Sequence, residues 1–112
     1  MFRSIIAIAA LVASVSASAN YEWWYNAAAC AALFEVVGMN EERQAIVAES
    51  EDRVSRLASA TEGFSAGGKW RAGYNYWSRE KLYLSTNFDG EAAELKATKY
   101  IVQFKCFQYV PD

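Results

Sequence analysis

The chain has 112 residues, of which 54% are hydrophobic and 21% charged, with 11 Lys and Arg, 13 Asp and Glu, and a formal net charge of −2. It contains no histidine and two cysteines, which excludes Ser-His-Asp and Cys-His catalysis, histidine-containing zinc sites, and four-cysteine zinc or iron–sulfur sites within one chain. The mildly acidic charge is mixed in sign along the chain and gives no support for binding a nucleic-acid phosphate backbone. We therefore expect no metal, no cofactor and no nucleic-acid partner.

Residues 1–19 have the features of a signal peptide. Arg3 supplies the positive n-region, residues 5–13 form an uncharged apolar run, and Ala17 and Ala19 place small residues at the positions that a signal peptidase recognises. We predict cleavage after Ala19, with cleavage after Ala17 as the alternative. The apolar run is shorter than the roughly 20 residues that span a membrane, so we expect no stable membrane insertion after cleavage.

Cleavage would leave one helical domain, residues 20–112, in a periplasmic or secreted location, as is typical of a bacterial periplasmic protein. A domain of this size has a small core that is marginal without a cross-link. Cys30 and Cys106 are an even pair in an oxidising compartment, and we predict one disulfide between them rather than a redox dithiol, which would have Cys-x-x-Cys spacing. In the chain-entropy model, closing so long a loop stabilises the fold by about 4 to 4.5 kcal/mol.

The first half of the domain predicts two helices. Residues 20–37 are rich in alanine, the best helix former, and are apolar all round in their middle, which predicts a buried helix. Gly38 stands where a C-terminal cap belongs. Asn40 is expected to cap a second helix that runs to about Ala60. The apolar stripe of this helix consists of Ile46, Val47, Val54 and Leu57.

The second half predicts a loop and two more helices. Residues 61–69 contain three glycines and are expected to form the loop. One face of the third helix consists of Trp70, Tyr74, Trp77, Lys81, Leu84 and Phe88. Asp89 is expected to cap the fourth helix, which Pro111 ends. The stripe of that helix consists of Ala93, Ala97, Tyr100, Ile101, Phe104 and Phe107.

The last segment, residues 98–110, also has a rival pattern. Alternate residues from Tyr100 to Cys106 are apolar, which is the period of a strand, and aromatic and β-branched residues are frequent there. We prefer a helix because its lead-in is strongly helical and no second convincing strand exists for pairing. The sequence thus predicts an all-α fold, a small four-helix up-and-down bundle in which Cys30 and Cys106 link the first and last helices. An α+β fold with a C-terminal strand is the alternative.

Two aromatic clusters are candidate binding surfaces. One consists of Tyr21, Trp23, Trp24 and Tyr25, and the other of Trp70, Tyr74, Tyr76 and Trp77 with the bases Lys69, Arg71 and Arg79 around it. Aromatic rings flanked by arginine bind ligands and protein surfaces. We expect Trp24, Trp70, Tyr74 and Trp77 to fill the core instead. One ring of each consecutive pair, 23–24 and 76–77, should be partly exposed. Arg71, Tyr76 and Arg79 are therefore the predicted binding residues.

The sequence gives weaker support for catalytic groups than for a binding surface. Glu35 lies among apolar residues, where burial would favour the protonated carboxyl and let it act as an acid. We expect it instead to face the surface or to pair with an arginine, because nothing fixes Glu80 or Asp89 at a catalytic distance from it. Ser78 and Lys81 have Ser-x-x-Lys spacing, but the other motifs of the enzymes that use it are absent.

The sequence indicates a class of protein rather than a specific function. We expect an exported, non-catalytic helical protein that works by binding a cell-envelope protein, an enzyme to be inhibited or a client to be held. A small hydrolase or lyase that uses carboxylates is one alternative, and a purely structural envelope component is the other. The sequence does not specify the oligomeric state.

Overall fold

The computed structural model describes residues 23–111, and within them every regular element is helical. In chain order the elements are α1 at residues 23–36, α2 at Asn40–Ser55, α3 at Ala60–Tyr76, α4 at Arg79–Ser85, α5 at Gly90–Gln103 and a 3-10 turn at Cys106–Tyr109. The all-α bundle is confirmed, and the segment with the rival strand pattern is helical. The predicted signal peptide, residues 1–19, and the first residues of the predicted mature domain lie outside the described part of the chain. Between residues 23 and 111, no helix combines the length and the apolar composition needed to cross a bilayer.

α1 forms the centre of the core. Residues 27–34 are all buried, and five of the eight are alanine. Such small side chains let neighbouring elements approach the backbone of α1 closely. At Gly73 of α3, a Cβ atom would collide with the backbone carbonyl of Tyr25, so this crossing requires glycine. The predicted burial of the first helix is therefore confirmed.

Gly38 ends α1, as the sequence predicts. Its φ of +78° lies in the left-handed region, and its N–H donates to the carbonyl of Glu35 at 3.1 Å. The N–H of Met39 donates to the carbonyl of Phe34 at 2.9 Å. These two bonds make a Schellman motif. Because the motif places Met39 directly before the first turn of α2, Asn40 is a helical residue, and its predicted role as N-cap is wrong.

α2 is shorter and more exposed than predicted. It ends at Ser55 rather than near Ala60, because the chain turns there towards the cap of the next helix. Of the predicted stripe, Ile46 is fully buried, whereas Val54 is 41% exposed. α2 therefore contacts the core through its middle turns.

The loop predicted for residues 61–69 is wrong, because α3 is helical throughout this range. The hydroxyl of Ser59 accepts a hydrogen bond from the backbone N–H of Glu62 at 3.2 Å and lies 3.4 Å from its carboxylate. This Ser-x-x-Glu sequence has the spacing of a capping box, a strong signal for a helix start. The cap and the packing of the second half of α3 outweigh the low helix propensity of the three glycines.

The third predicted helix is in fact two helices. α3 ends at Tyr76, and the hydroxyl of Ser78 caps α4 by accepting from the backbone N–H of Lys81 at 3.5 Å. In the Ser-x-x-Lys sequence, Ser78 therefore acts as the N-cap of α4. The break turns α4 so that Leu82 is buried, while Leu84 is exposed.

The aromatic rings expected in the core are found there. Trp24 is buried, and three further rings are partly buried against the core cluster, those of Trp70, Tyr74 and Trp77. In each consecutive pair one ring is more exposed, Trp23 in the first and Tyr76 in the second. The prediction of partial exposure is confirmed for both pairs.

α5 begins as predicted, but it ends at Gln103, so the prediction that Pro111 ends this helix is wrong. The carboxylate of Asp89 accepts from the backbone N–H groups of Glu91 at 3.0 Å and Ala92 at 3.2 Å. The buried face of the helix consists of Ala93, Ala97 and Ile101. Lys105, with a φ of +52°, separates α5 from the 3-10 turn, and Phe107 of the predicted stripe is exposed because it lies on that turn.

The predicted disulfide is present. Cys30 and Cys106 are bonded, with their Cα atoms 5.3 Å apart and a sequence separation of 76. Both residues are fully buried. The bond joins the middle of α1 to the 3-10 turn that follows α5, and so closes the fold at its centre.

Alanine substitutions at Gly68 and Gly73 of α3 should have opposite effects on the free energy of unfolding, because the two glycines have different surroundings. Among the described residues nothing lies within 4 Å of a Cβ atom at Gly68. Gly68→Ala should therefore raise the free energy of unfolding by about 0.5 to 1 kcal/mol, because it restricts the unfolded chain. Gly73→Ala should lower it by about 1 to 3 kcal/mol through the collision with Tyr25. Urea unfolding followed by circular dichroism measures both, and equal effects would contradict the close crossing.

Reduction of the disulfide should lower the free energy of unfolding by about 4 to 4.5 kcal/mol, because the reduced unfolded chain regains the entropy of an open loop. Unfolding curves with and without a reducing agent measure this change. In the Cys30→Ala/Cys106→Ala variant the reducing agent should have no effect, which controls for reagent artefacts. A loss below about 1 kcal/mol would show that the bond contributes little to this fold.

Candidate functional site

An open groove of about 300 Å³ lies where the end of α3 meets α4 and α5. We call it the α4–α5 groove, and it is lined by Tyr76, Trp77, Lys81, Leu82, Ser85, Lys96 and Tyr100. Its lining combines aromatic rings, hydroxyl groups and two ammonium groups. No acidic side chain is among these lining residues, although acids outnumber bases in the chain.

Trp77 holds the aromatic wall of the groove in place. Its ring meets the ring of Tyr76 edge to face at a centroid distance of 5.2 Å, that of Tyr100 at 4.8 Å and that of Phe104 at 5.2 Å. Edge-to-face pairs at these separations are favourable. The aromatic wall is therefore built from the end of α3 and from α5.

The two lysines of the groove are positioned by its other residues. The Nζ atom of Lys96 donates to the Oγ atom of Ser85 at 3.3 Å, which joins α5 to the last turn of α4. The Nζ atom of Lys81 lies 5.8 Å from the ring centroid of Tyr76, within the range of a cation–π interaction. An ammonium group has three donors, and Ser85 takes one of those on Lys96. The groove can therefore donate hydrogen bonds to an anionic group.

The three predicted binding residues do not share this groove. Tyr76 lines it, with 59% of its surface exposed. Arg71 lines a separate, more apolar groove of about 330 Å³ between α2 and α3. The guanidinium of Arg79 donates two hydrogen bonds to the hydroxyl of Tyr83, at 3.0 and 2.7 Å, and lies over its ring. A binding role for each of the three stays a prediction.

Sequence reasoning did not select the two groove lysines or Ser85. Lys81 had two signals in the sequence, since it interrupts an otherwise apolar helical face and has Ser-x-x-Lys spacing from Ser78. Lys96 carries no comparable signal, because a lysine on one exposed face of an amphipathic helix is ordinary.

Glu35 contacts a phenol rather than a second carboxylate or an arginine. The hydroxyl of Tyr74 donates to its Oε2 atom at 3.0 Å, which links α1 to α3. Burial raises the pKa of Tyr74 above its ordinary value, the hydrogen bond and the charge of Glu35 raise this pKa further, and Arg43 opposes the increase. The Nε atom of Arg43 is buried and has no hydrogen-bond partner within residues 23–111. The hydrogen bond from Tyr74 to Glu35 thus joins α1 to α3.

This chain matches no family model, no curated protein and no solved structure. Between residues 23 and 111 no three side chains of the types that ligate metals lie close enough together to hold an ion. The function is therefore inferred from the geometry of the α4–α5 groove.

Replacing Tyr74 by phenylalanine tests its contact with Glu35. Tyr74→Phe should lower the free energy of unfolding near neutral pH by about 1 to 2 kcal/mol, because a hydrogen bond to a charged group is lost. The pKa of Tyr74 is raised in the folded state. Its contribution to stability is therefore complete below about pH 10, the value for a free tyrosine, and is lost as the pH rises through the folded value.

The wild-type protein should accordingly lose stability more steeply above about pH 10 than the Tyr74→Phe variant does. Unfolding curves measured between neutral and alkaline pH give this slope. Glu35→Gln, which removes the charge but keeps an acceptor, should give an intermediate slope. Identical slopes in all three proteins would show that the contact does not influence Tyr74.

Proposed function

We propose that this chain is an exported, non-catalytic binding protein whose binding site is the α4–α5 groove. The observation that carries the proposal is the exposure of Tyr76 at the edge of the groove while the adjacent Trp77 packs against the core. Aromatic rings at the edge of a preformed cavity anchor ligands and partners, since they provide a large contact area with few rotatable bonds. A binding function uses both features, the ring and the cavity.

Export is supported by two independent features. The first is the signal-peptide pattern of residues 1–19. The second is the Cys30–Cys106 disulfide, because disulfides form and persist in oxidising compartments. A periplasmic or secreted location agrees with both, and a component of the cell envelope is then the natural partner.

The contacts of the groove favour a binding site with fixed geometry. α4 and α5 are joined by a short turn, the Lys96–Ser85 hydrogen bond crosses between them, and Trp77 contacts a ring of α3 and a ring of α5. A preorganised site loses less conformational entropy when a ligand binds. Affinity can therefore be achieved without rearrangement of the helices.

The candidate catalytic groups support a binding role over the carboxylate-based alternative. The chain lacks histidine, the usual acid–base catalyst near neutral pH. Ser78 caps α4, and Glu35 accepts a hydrogen bond from Tyr74 at the junction of two helices. Each of these groups thus has a structural role.

A matched pair of aromatic substitutions tests the proposal. Tyr76→Ala should reduce retention of envelope components on the immobilised protein at least tenfold. It should lower the free energy of unfolding by no more than about 1.5 kcal/mol, the value of one aromatic pair. Phe64→Ala is the control, because Phe64 is 79% exposed on α3 but does not line the groove.

Retention that falls equally in both variants would indicate general adhesion to exposed rings and would contradict a specific site. Retention that is unchanged in Tyr76→Ala would place binding elsewhere. Arg71→Ala and Arg79→Ala are measured beside them, and a loss in either would extend the site to that arginine.

A further inference from the structure

We infer that the α4–α5 groove binds a small ring-shaped anion, whose charged group pairs with Lys81 and Lys96 and whose ring contacts Tyr76. The inference rests on the proposed function, because it names the class of ligand that the same groove takes. It follows from the charge, the aromatic wall and the size of the groove.

The charged side chains that line the groove are both positive. Lys81 and Lys96 both line it, and no acid does. Three ion pairs join Arg53 and Arg56 to acids of α2, and neither groove lysine takes part in them. Two like charges at one groove repel each other, and an anion between them would remove that repulsion. A negatively charged group is therefore the complement of this site.

The neighbouring groups indicate that the anion is part of a larger molecule. The lining includes the apolar side chains of Trp77 and Leu82 and the rings and hydroxyl groups of Tyr76 and Tyr100. A bare inorganic anion would leave this apolar surface unused. A ring fits both features, because its face contacts an aromatic side chain while its polar substituents reach the hydroxyl groups.

The free volume sets the size of the ligand. About 300 Å³ is at the lower end of the range for small-molecule sites and accommodates a molecule of one or two rings. A one-ring acid of nine to thirteen non-hydrogen atoms should bind with a Kd of about 1 to 10 mM. Sugar acids and aromatic acids share this chemistry, and the experiment separates them.

The test is a titration of the full chain in its exported form, followed by NMR chemical shifts, with four probes. Glucuronate and benzoate are ring-shaped anions, acetate is an anion without a ring, and methyl glucoside is a ring without charge. At least one of the two ring acids should bind at least tenfold more tightly than both acetate and methyl glucoside. Glucuronate alone would identify a sugar acid as the ligand, and benzoate alone an aromatic acid.

Glutamine substitutions then locate the site. Lys81→Gln and Lys96→Gln each keep most of the side-chain stem and should weaken binding of the ring acid threefold to tenfold. Lys99→Gln is the matched control, because it removes the same charge from an exposed position of α5 that does not line the groove. Melting temperatures establish that each variant is folded. If Lys96→Gln unfolds the protein through loss of its bond to Ser85, Lys81→Gln still gives the answer.

Three results would overturn the inference. The first is acetate binding as tightly as the ring acids, which would remove the role of the ring. The second is an equal loss in Lys99→Gln, which would reduce the effect to overall charge. The third is the failure of both ring acids to bind, which would show that the inferred ligand class is wrong. The proposed binding function would still stand in that case if Tyr76→Ala abolishes partner retention.

Discussion

The burial of α1 is the constraint on which the rest of the structure depends. A helix that is buried on most sides and rich in alanine lets its neighbours come close to its backbone. The crossing at Gly73 and the bond from Cys30 to Cys106 both follow from this closeness. Phe34 and Leu33 of α1 are the largest fully buried side chains, and the partly buried rings of α3 pack against the same core.

A local signal in the sequence predicted the structure correctly where no second signal opposed it. The alanine-rich segment, Gly38 and Asp89 each behave as their residue types predict. Asn40 failed because a stronger motif, the Schellman bonds at Gly38 and Met39, already fixed the chain one residue earlier.

The sequence of α3 contains two opposing signals, and the predicted loop gave too much weight to its glycines. Each glycine in a helix interior costs about 0.5 to 1 kcal/mol relative to alanine, and three in nine residues favoured a loop. The capping box of Ser59 and Glu62 was present in the sequence, just before the glycines, and pointed the other way. What the sequence could not show is that Gly73 is needed for contact with α1, since this depends on the packing of two distant segments.

The candidate site was predicted only in part, for the same reason. The exposure of Tyr76 follows from sequence, because two consecutive aromatic residues cannot both face inward. Lys81 and Lys96 lie on different helices, and their meeting depends on the reversal of the chain between α4 and α5. Treating residues 70–88 as one helix kept the reversal before Asp89 but missed the break at residues 77–78 between α3 and α4.

The reversal itself is held by hydrogen bonds rather than by burial. Asn87 and Phe88 both have positive φ angles, of 59° and 67°, which are unfavourable for a bulky residue such as Phe88. The ring of Phe88 is 72% exposed and offsets little of this cost. The backbone N–H of Phe88 instead donates to the carbonyl of Tyr83, and the hydroxyl of Thr86 donates to that of Leu82 at 2.9 Å.

These bonds fix where α5 begins relative to the end of α4. Asp89 caps α5 immediately after the turn, and this register brings Lys96 to Ser85. Backbone strain that surrounding bonds hold in place is often found beside functional sites, where it sets a geometry that relaxed turns would not give. The strained turn and the groove are therefore parts of one arrangement, in which local hydrogen bonds place α4 and α5 so that Lys81 and Lys96 line the same groove.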